Sequence, residues 1–181
     1  MKAIEILVKE HDSILRMIDV TQHLLSDKST VNIDHVEQII DFVKNFADKY
    51  HHLKEEDVLF MELEKHGMPR EGGPVGVMLS EHDEGRNYIK LASKAVAEYK
   101  QGNTNALTDI ESNLLNFCTL LTNHIAKENN ILYPMAERML PGIVLDTMSQ
   151  DFEEANLATT NNEYHDKYLK MVDELSSIYL K

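Results

Sequence analysis

The sequence contains one cysteine, Cys118, among its 181 residues. A single thiolate cannot form an intrachain disulfide, and it cannot assemble a cysteine-ligated zinc or iron–sulfur site. Long apolar runs are also missing, both near the N-terminus, where a signal peptide would lie, and in the rest of the chain. We therefore expect no membrane span and a soluble, reducing, cytoplasmic setting.

Positive charge is scarce. The 18 Lys and Arg residues stand against 31 Asp and Glu residues, which gives a formal net charge of -13. A chain this acidic repels both nucleic acid and anionic membrane surfaces, so neither is an expected partner. The charge places no restriction on small neutral ligands.

Glycine and proline are few, with 7 and 4 residues respectively. This composition favours helices over a β-sandwich. Apolar residues recur at helical spacing in four long segments, at about 2–25, 34–65, 75–101 and 104–139, with Asp34 a candidate N-cap. The sequence therefore predicts an all-α fold. We expect an up-down-up-down four-helix bundle over residues 1–140, with additional C-terminal helices over 141–181 packed on it and available to a protein partner.

The polar residues of the predicted bundle are repeated. The tripeptide Glu-His-Asp occurs at 10–12 and again at 81–83, and the pattern His-x-x-x-Glu occurs at 51–55 and again at 124–128. Residues four apart on an α-helix point the same way, one above the other. Both patterns also fall on the apolar stripes of their helices. Two matched helical hairpins would therefore direct the same polar side chains into the bundle.

Six of these residues are predicted to hold two metal ions. They are His11, His51, Glu55, His82, His124 and Glu128. Buried carboxylates are costly unless a cation neutralises them. No Lys or Arg lies on the inner stripes to neutralise both Glu55 and Glu128, and Arg86 is the nearest candidate. A set of imidazoles and bridging carboxylates with open positions favours a di-iron centre, and zinc or manganese would also fit.

The neighbours of these six residues have several interpretations. His52 is a candidate seventh ligand, although it turns about 100° away from His51 on an ideal helix and a supporting role is favoured. Glu56 has the same orientation and is expected to be solvated. One residue each from Glu10 or Asp12, and from Glu81 or Asp83, could orient an imidazole. His23, His35, His66 and His165 have no repeated counterpart and are predicted to lie at the surface.

Five motifs together resemble the hemerythrin-like family, also called the HHE cation-binding domain. They are EHD at 10–12, HHLKEED at 51–57, PREGGPVGVML at 69–79, EHDEGR at 81–86 and HIAKENNILYPMAE at 124–137. The resemblance implies a four-helix bundle with a non-haem di-iron site, two bridging carboxylates and room for a diatomic ligand. The family ligands fall on the same six residues. Arg86 stands where the oxygen-carrying hemerythrins have a fifth histidine, which argues against simple reversible oxygen carriage.

The leading functional hypothesis is a protein that binds or senses dioxygen, nitric oxide or peroxide at this centre. The alternatives are a di-iron enzyme of the peroxidase, nitric oxide reductase or oxidase type, and an iron store or donor for iron–sulfur cluster repair. A ferritin-like site is excluded because no Glu has a His three residues later, and the zinc-protease motif HExxH is absent as well.

Overall fold

The computed structural model describes residues 2–159 and 162–180, and within them it contains helices and no strand. Helix α1 spans Ala3–Leu25. Helix α2 begins as Ile33–Phe42, passes through π-helical segments at Val43–His52 and Glu55–Leu59, and ends as Phe60–Lys65. Helix α3 spans Pro74–Lys100. Helix α4 runs from Ala106–Lys127 through a π-helical segment at Glu128–Leu132 into Tyr133–Met139. Helices α5 and α6 span Gly142–Thr159 and Asn162–Tyr179.

The predicted all-α bundle with extra C-terminal helices is confirmed. The helix ends follow from local chemistry. Asn32, rather than the predicted Asp34, caps α2, because its side chain accepts hydrogen bonds from the backbone N–H groups of Asp34 and His35. Gly67 and Gly102 follow α2 and α3 with φ of 100° and 101°, a left-handed conformation that glycine adopts without strain.

The apolar interior is divided into two cores, one on each side of a layer of buried polar residues. In α1, Leu7 lies in one core and Ile14 in the other, with Glu10 and His11 between them. The other three long helices show the same order. Their pairs of flanking core residues are Ala47 and Leu59, Met78 and Ile89, and Leu121 and Leu132. The polar residues are therefore held in place by apolar packing from both sides.

Each of the two C-terminal helices contributes side chains to one of the two cores. Tyr168, Val172 and Leu175 of α6 lie in the core with Ile14, and Met148 and Phe152 of α5 lie in the core with Leu7. The division of the chain at residue 140 stays a prediction. Within the described residues, no helix is both long enough and apolar enough to span a bilayer.

Candidate metal centre

The polar layer brings seven sequence-predicted residues together. The donor atoms of His52, Glu55, His82 and His124 all lie within 4.8 Å of one another, and so do those of His11, His51, Glu55 and Glu128. We call the histidines of the first group (His52, His82 and His124) the three-histidine half-site. His11 and His51 form the two-histidine half-site. All seven side chains are buried.

The two carboxylates lie between the half-sites. Glu55 Oε2 is 3.5 Å from His82 Nε2 and 3.7 Å from His51 Nε2. Glu128 Oε1 is 3.0 Å from His124 Nε2, and its Oε2 is 3.2 Å from His11 Nε2. Each carboxylate therefore contacts an imidazole of both half-sites, which is the arrangement needed to bridge two cations.

Four of the five imidazoles are oriented by a close oxygen on their outer side. The Nδ1 atom of His51 is 2.9 Å from Glu10 Oε2, and that of His124 is 2.9 Å from Glu81 Oε2. The other two contacts are from His82 Nδ1 to Glu56 Oε1, at 2.7 Å, and from His11 Nδ1 to Asn129 Oδ1, at 2.8 Å. Because the acceptors hold a proton on Nδ1, the lone pair of each neutral ring is on Nε2, which faces the carboxylates.

The supporting contacts repeat with the same two-fold relation as the histidines. Lys54 donates to Glu10 Oε1 at 2.6 Å, and Lys127 donates to Glu81 Oε1. The residues that follow the two bridging carboxylates, Glu56 and Asn129, hold His82 and His11 respectively. The two lysines therefore occupy equivalent positions in the repeat and make equivalent contacts. Lys54 is fully buried, but its ion pair is with Glu10 and not with Glu55 or Glu128.

Besides the Glu56 and Asn129 pair, the two halves of the repeat differ at two further positions of the site. His52 occupies the position in HHLKEE that Ile125 occupies in HIAKEN, and Tyr133 occupies the position equivalent to Phe60. The Tyr133 hydroxyl donates to Glu55 Oε1 at 2.6 Å and lies 3.4 Å from His11 Nε2. Burial raises the pKa of Tyr133 well above its usual value, so the phenol keeps its proton. Glu55 therefore has one oxygen bound to the phenol and one facing the histidines.

Arg86 organises the outer side of the three-histidine half-site. Its guanidinium donates to Asp48 Oδ1 at 2.9 Å and to Glu56 Oε1 at 2.7 Å. Asp48 in turn lies 3.4 Å from His52 Nδ1. The His52 ring stacks on His82, with centroids 3.8 Å apart. The expectation that Glu56 is solvated was wrong, because the side chain is held between Arg86 and His82.

In the metal-free protein, protons on the histidines balance the negative charges of the layer. Burial lowers the pKa of His51 well below its usual value and that of His52 to about 3. Burial also disfavours a charge on His82, but the adjacent Glu55 and Glu56 carboxylates outweigh this and raise the pKa to about 9. Burial disfavours the charged form of Glu128, but the adjacent His11 and His124 imidazoles outweigh this and lower its pKa. Cations at the centre would take the place of these protons.

The donor atoms themselves fit metal ions. Among the described residues, the buried atoms without a hydrogen-bond partner include His51 Nε2, Glu55 Oε2 and both carboxylate oxygens of Glu128. Buried polar groups in folded proteins are nearly always paired. Four unpaired donor atoms that face one another are therefore the signature of a cation-binding centre, and the imidazole–carboxylate chemistry suits borderline divalent metals.

The remaining predicted histidines lie away from this layer. His23 and His66 are exposed. His35 is partly buried against Tyr179, and His165 is partly buried beside Tyr50. Of the candidate orienting acids, Glu10 and Glu81 contact imidazoles, whereas Asp83 pairs with Arg86 at the surface. Sequence reasoning missed Asp48, Asn129 and Tyr133, and only Asn129 carried a signal, because it aligns with Glu56 in the repeat.

Comparison with known proteins agrees with the geometry. A family model described as the hemerythrin HHE cation-binding domain matches residues 2–136, which include all seven clustered residues. Comparisons with curated proteins and with solved structures returned no match. The family match and the buried His/Glu cluster both indicate cation binding. This chain belongs to the hemerythrin HHE cation-binding domain family.

Proposed function

We propose that this protein is a non-haem di-iron protein that binds or senses dioxygen, nitric oxide or peroxide. The observation that carries the proposal is the group of unpaired donor atoms at the centre of the polar layer, together with the outward Nδ1 contacts that fix the imidazoles. One ion would be held by His52, His82 and His124, and the other by His11 and His51. Two iron ions would supply redox chemistry and open coordination positions.

The two half-sites differ in the protein donors that surround them. Glu128 offers one oxygen towards each half-site, since Oε1 lies near His124 and Oε2 near His11. Glu55 offers only Oε2, because Tyr133 holds its other oxygen. The half-site with two histidines has fewer protein donors and is the one beside the phenol. We therefore assign ligand binding to this side, beside the Tyr133 phenol, whose single proton is donated to Glu55.

A metal analysis tests the proposal most directly. Protein made without affinity metals is expected to contain two iron ions per chain, and Glu55→Gln or Glu128→Gln is expected to lower this content sharply because each carboxylate contacts both half-sites. His66→Ala serves as the control, since His66 is exposed and remote. Retention of two ions by both glutamine variants would contradict the assignment.

Spectroscopy then tests the ligand. The anaerobically reduced iron protein is expected to develop visible charge-transfer absorption when it is exposed to air, nitric oxide or peroxide. An iron-loaded protein whose spectrum responds to none of the three would contradict the function while leaving the metal site intact.

A second candidate is a di-iron enzyme that acts on peroxide at the same centre. It is favoured by a cavity that reaches His52 and His82 from the surface. Multiple turnovers of peroxide with an added electron donor would separate this enzyme from a sensor.

A further inference from the structure

A cavity of about 390 Å³ lies between α2, α3 and α4, beside the three-histidine half-site. His52 and His82 form its inner end. A single water molecule occupies roughly 30 Å³, and pockets for organic ligands begin at about 300 Å³. The cavity is therefore much larger than a diatomic ligand requires, and its size is that of a site for a small organic molecule.

The walls of the cavity are mostly apolar. Three polar side chains, Asp48, Glu81 and Ser93, also line it, and the two acids are already paired with Arg86 and Lys127 respectively. The apolar lining matters most for the shape of the cavity. It is formed by Val43, Ile89, Phe117 and Leu121, together with Gly85. Gly85 lies inside α3, where glycine costs about 1 kcal/mol relative to alanine, and its φ is not positive. A Cβ atom at this position would lie 3.5 Å from the Phe117 ring, an ordinary contact distance. The fold therefore tolerates a small side chain here, while a larger one would enter the cavity.

The rim of the cavity carries two lysines that lack a partner. Lys44 and Lys90 are exposed, and neither makes an ion pair with a residue of the described chain. Arg86 also lines the cavity, but its guanidinium is already bound by Asp48 and Glu56. In a chain with a net charge of -13, two unpaired cations at the mouth of an apolar cavity are complementary to a single anionic group.

We propose that this cavity binds an aliphatic carboxylate, with its anionic group at Lys44 and Lys90 and its chain along Gly85 and Phe117. The apolar end of such a molecule would lie beside His52 and His82. The three-histidine half-site would then be covered by an organic ligand, and a diatomic would have to reach the centre from the side of Tyr133. Binding of the carboxylate requires no metal, so this inference goes beyond the proposed function.

Calorimetric titration with decanoate, run on metal-free and on iron-loaded protein, tests the inference. We expect saturable binding in both forms. Gly85→Leu is expected to abolish it because the new side chain fills the cavity. The double variant Lys44→Glu/Lys90→Glu is expected to weaken it by about tenfold or more, since both rim charges are reversed. Lys49→Glu is the matched control, because Lys49 is an exposed lysine of α2 that does not line the cavity.

Several outcomes would overturn the inference. They are the absence of saturable decanoate binding, unchanged binding by Gly85→Leu, and equal affinity for decanol, which lacks the charge. If Gly85→Leu fails to fold, nuclear Overhauser contacts between decanoate and the Phe117 ring in the metal-free wild-type protein decide the question, and their absence would count against the site. Iron content is measured on the same samples, so failure of this inference is distinguishable from failure of the di-iron assignment.

Discussion

Removing Lys54 from its buried ion pair with Glu10 should cost much more stability than removing the equivalent lysine of the repeated pair. The Lys54 ammonium is 2.6 Å from Glu10 Oε1 and 3.4 Å from the centroid of the Tyr50 ring, and the side chain is fully buried. In Lys54→Met the apolar stem keeps most of its packing, but Glu10 loses its cation. Removing one partner of a buried pair typically costs about 3–5 kcal/mol. Domains of this size are stable by about 5–15 kcal/mol, so the loss is a substantial share of the total.

The matched variant is Lys127→Met, which removes the equivalent lysine of the other hairpin. The Lys127 side chain is 37% exposed, so water screens its interaction with Glu81. We expect this variant to lose at most about 1 kcal/mol. Urea unfolding of the metal-free proteins at pH 7 measures the difference directly. Equal losses in the two variants would refute the argument that burial, rather than the ion pair itself, determines the cost.

The pH dependence provides a second check with a definite sign. Burial raises the pKa of Glu10, and the loss of Lys54 raises it further. A carboxyl whose pKa is higher in the folded than in the unfolded state destabilises the protein above its unfolded pKa of 4.5. The deficit of Lys54→Met should therefore grow as the pH rises above that value and shrink towards acid, where protonated Glu10 needs no cation. A deficit that grows towards acid would contradict this.

Three further results are expected. Tyr133→Phe should lower the stability of the metal-free protein by about 1–3 kcal/mol, because Glu55 loses its buried donor, while elemental analysis still finds two ions; unchanged urea unfolding would contradict this. Arg86→Met should weaken metal binding about 10- to 100-fold in a chelator competition, because Asp48 and Glu56 lose the group that holds them, and Arg16→Met, which breaks an exposed pair, should not. Metal uptake should release protons and strengthen as the pH rises towards about 9, because His82 and the other protonated imidazoles must be deprotonated first; a pH-independent affinity would count against proton displacement.

The inward positions of the six candidate ligands could be predicted from sequence because their geometry is local and repeated. A four-residue step between His51 and Glu55 points both side chains in a similar direction on an α-helix, and the second hairpin repeats it. The same local rule failed for His52. On an ideal α-helix adjacent residues diverge by about 100°, whereas the π-helical segment at Val43–His52 has a wider turn. Adjacent residues diverge less in a wider turn, which lets both histidines face the layer.

Lys54 and Tyr133 could not be placed from the sequence for a different reason. Lys54 is buried in an ion pair with Glu10, and that partner lies 44 positions earlier in the chain. The hydroxyl of Tyr133 is satisfied by Glu55, 78 positions earlier. Neither partner is visible in a local periodicity, and both depend on how the hairpins pack. Long charged and phenolic side chains are ordinarily predicted at the surface, so only the assembled bundle reveals these two as interior residues.

The position of the polar layer between two separate apolar cores has a consequence for folding cooperativity. Without cations, the plane that joins the cores consists of desolvated charges and unpaired donors, and it resists opening less than either core does. We expect amide hydrogen exchange of the metal-free protein to show two protection levels, one for the core around Ile14 and one for the core around Leu7. With cations bound, the side chains of this layer would link the four long helices. The amides of both cores would then show one common protection level, as expected for a single cooperative unit.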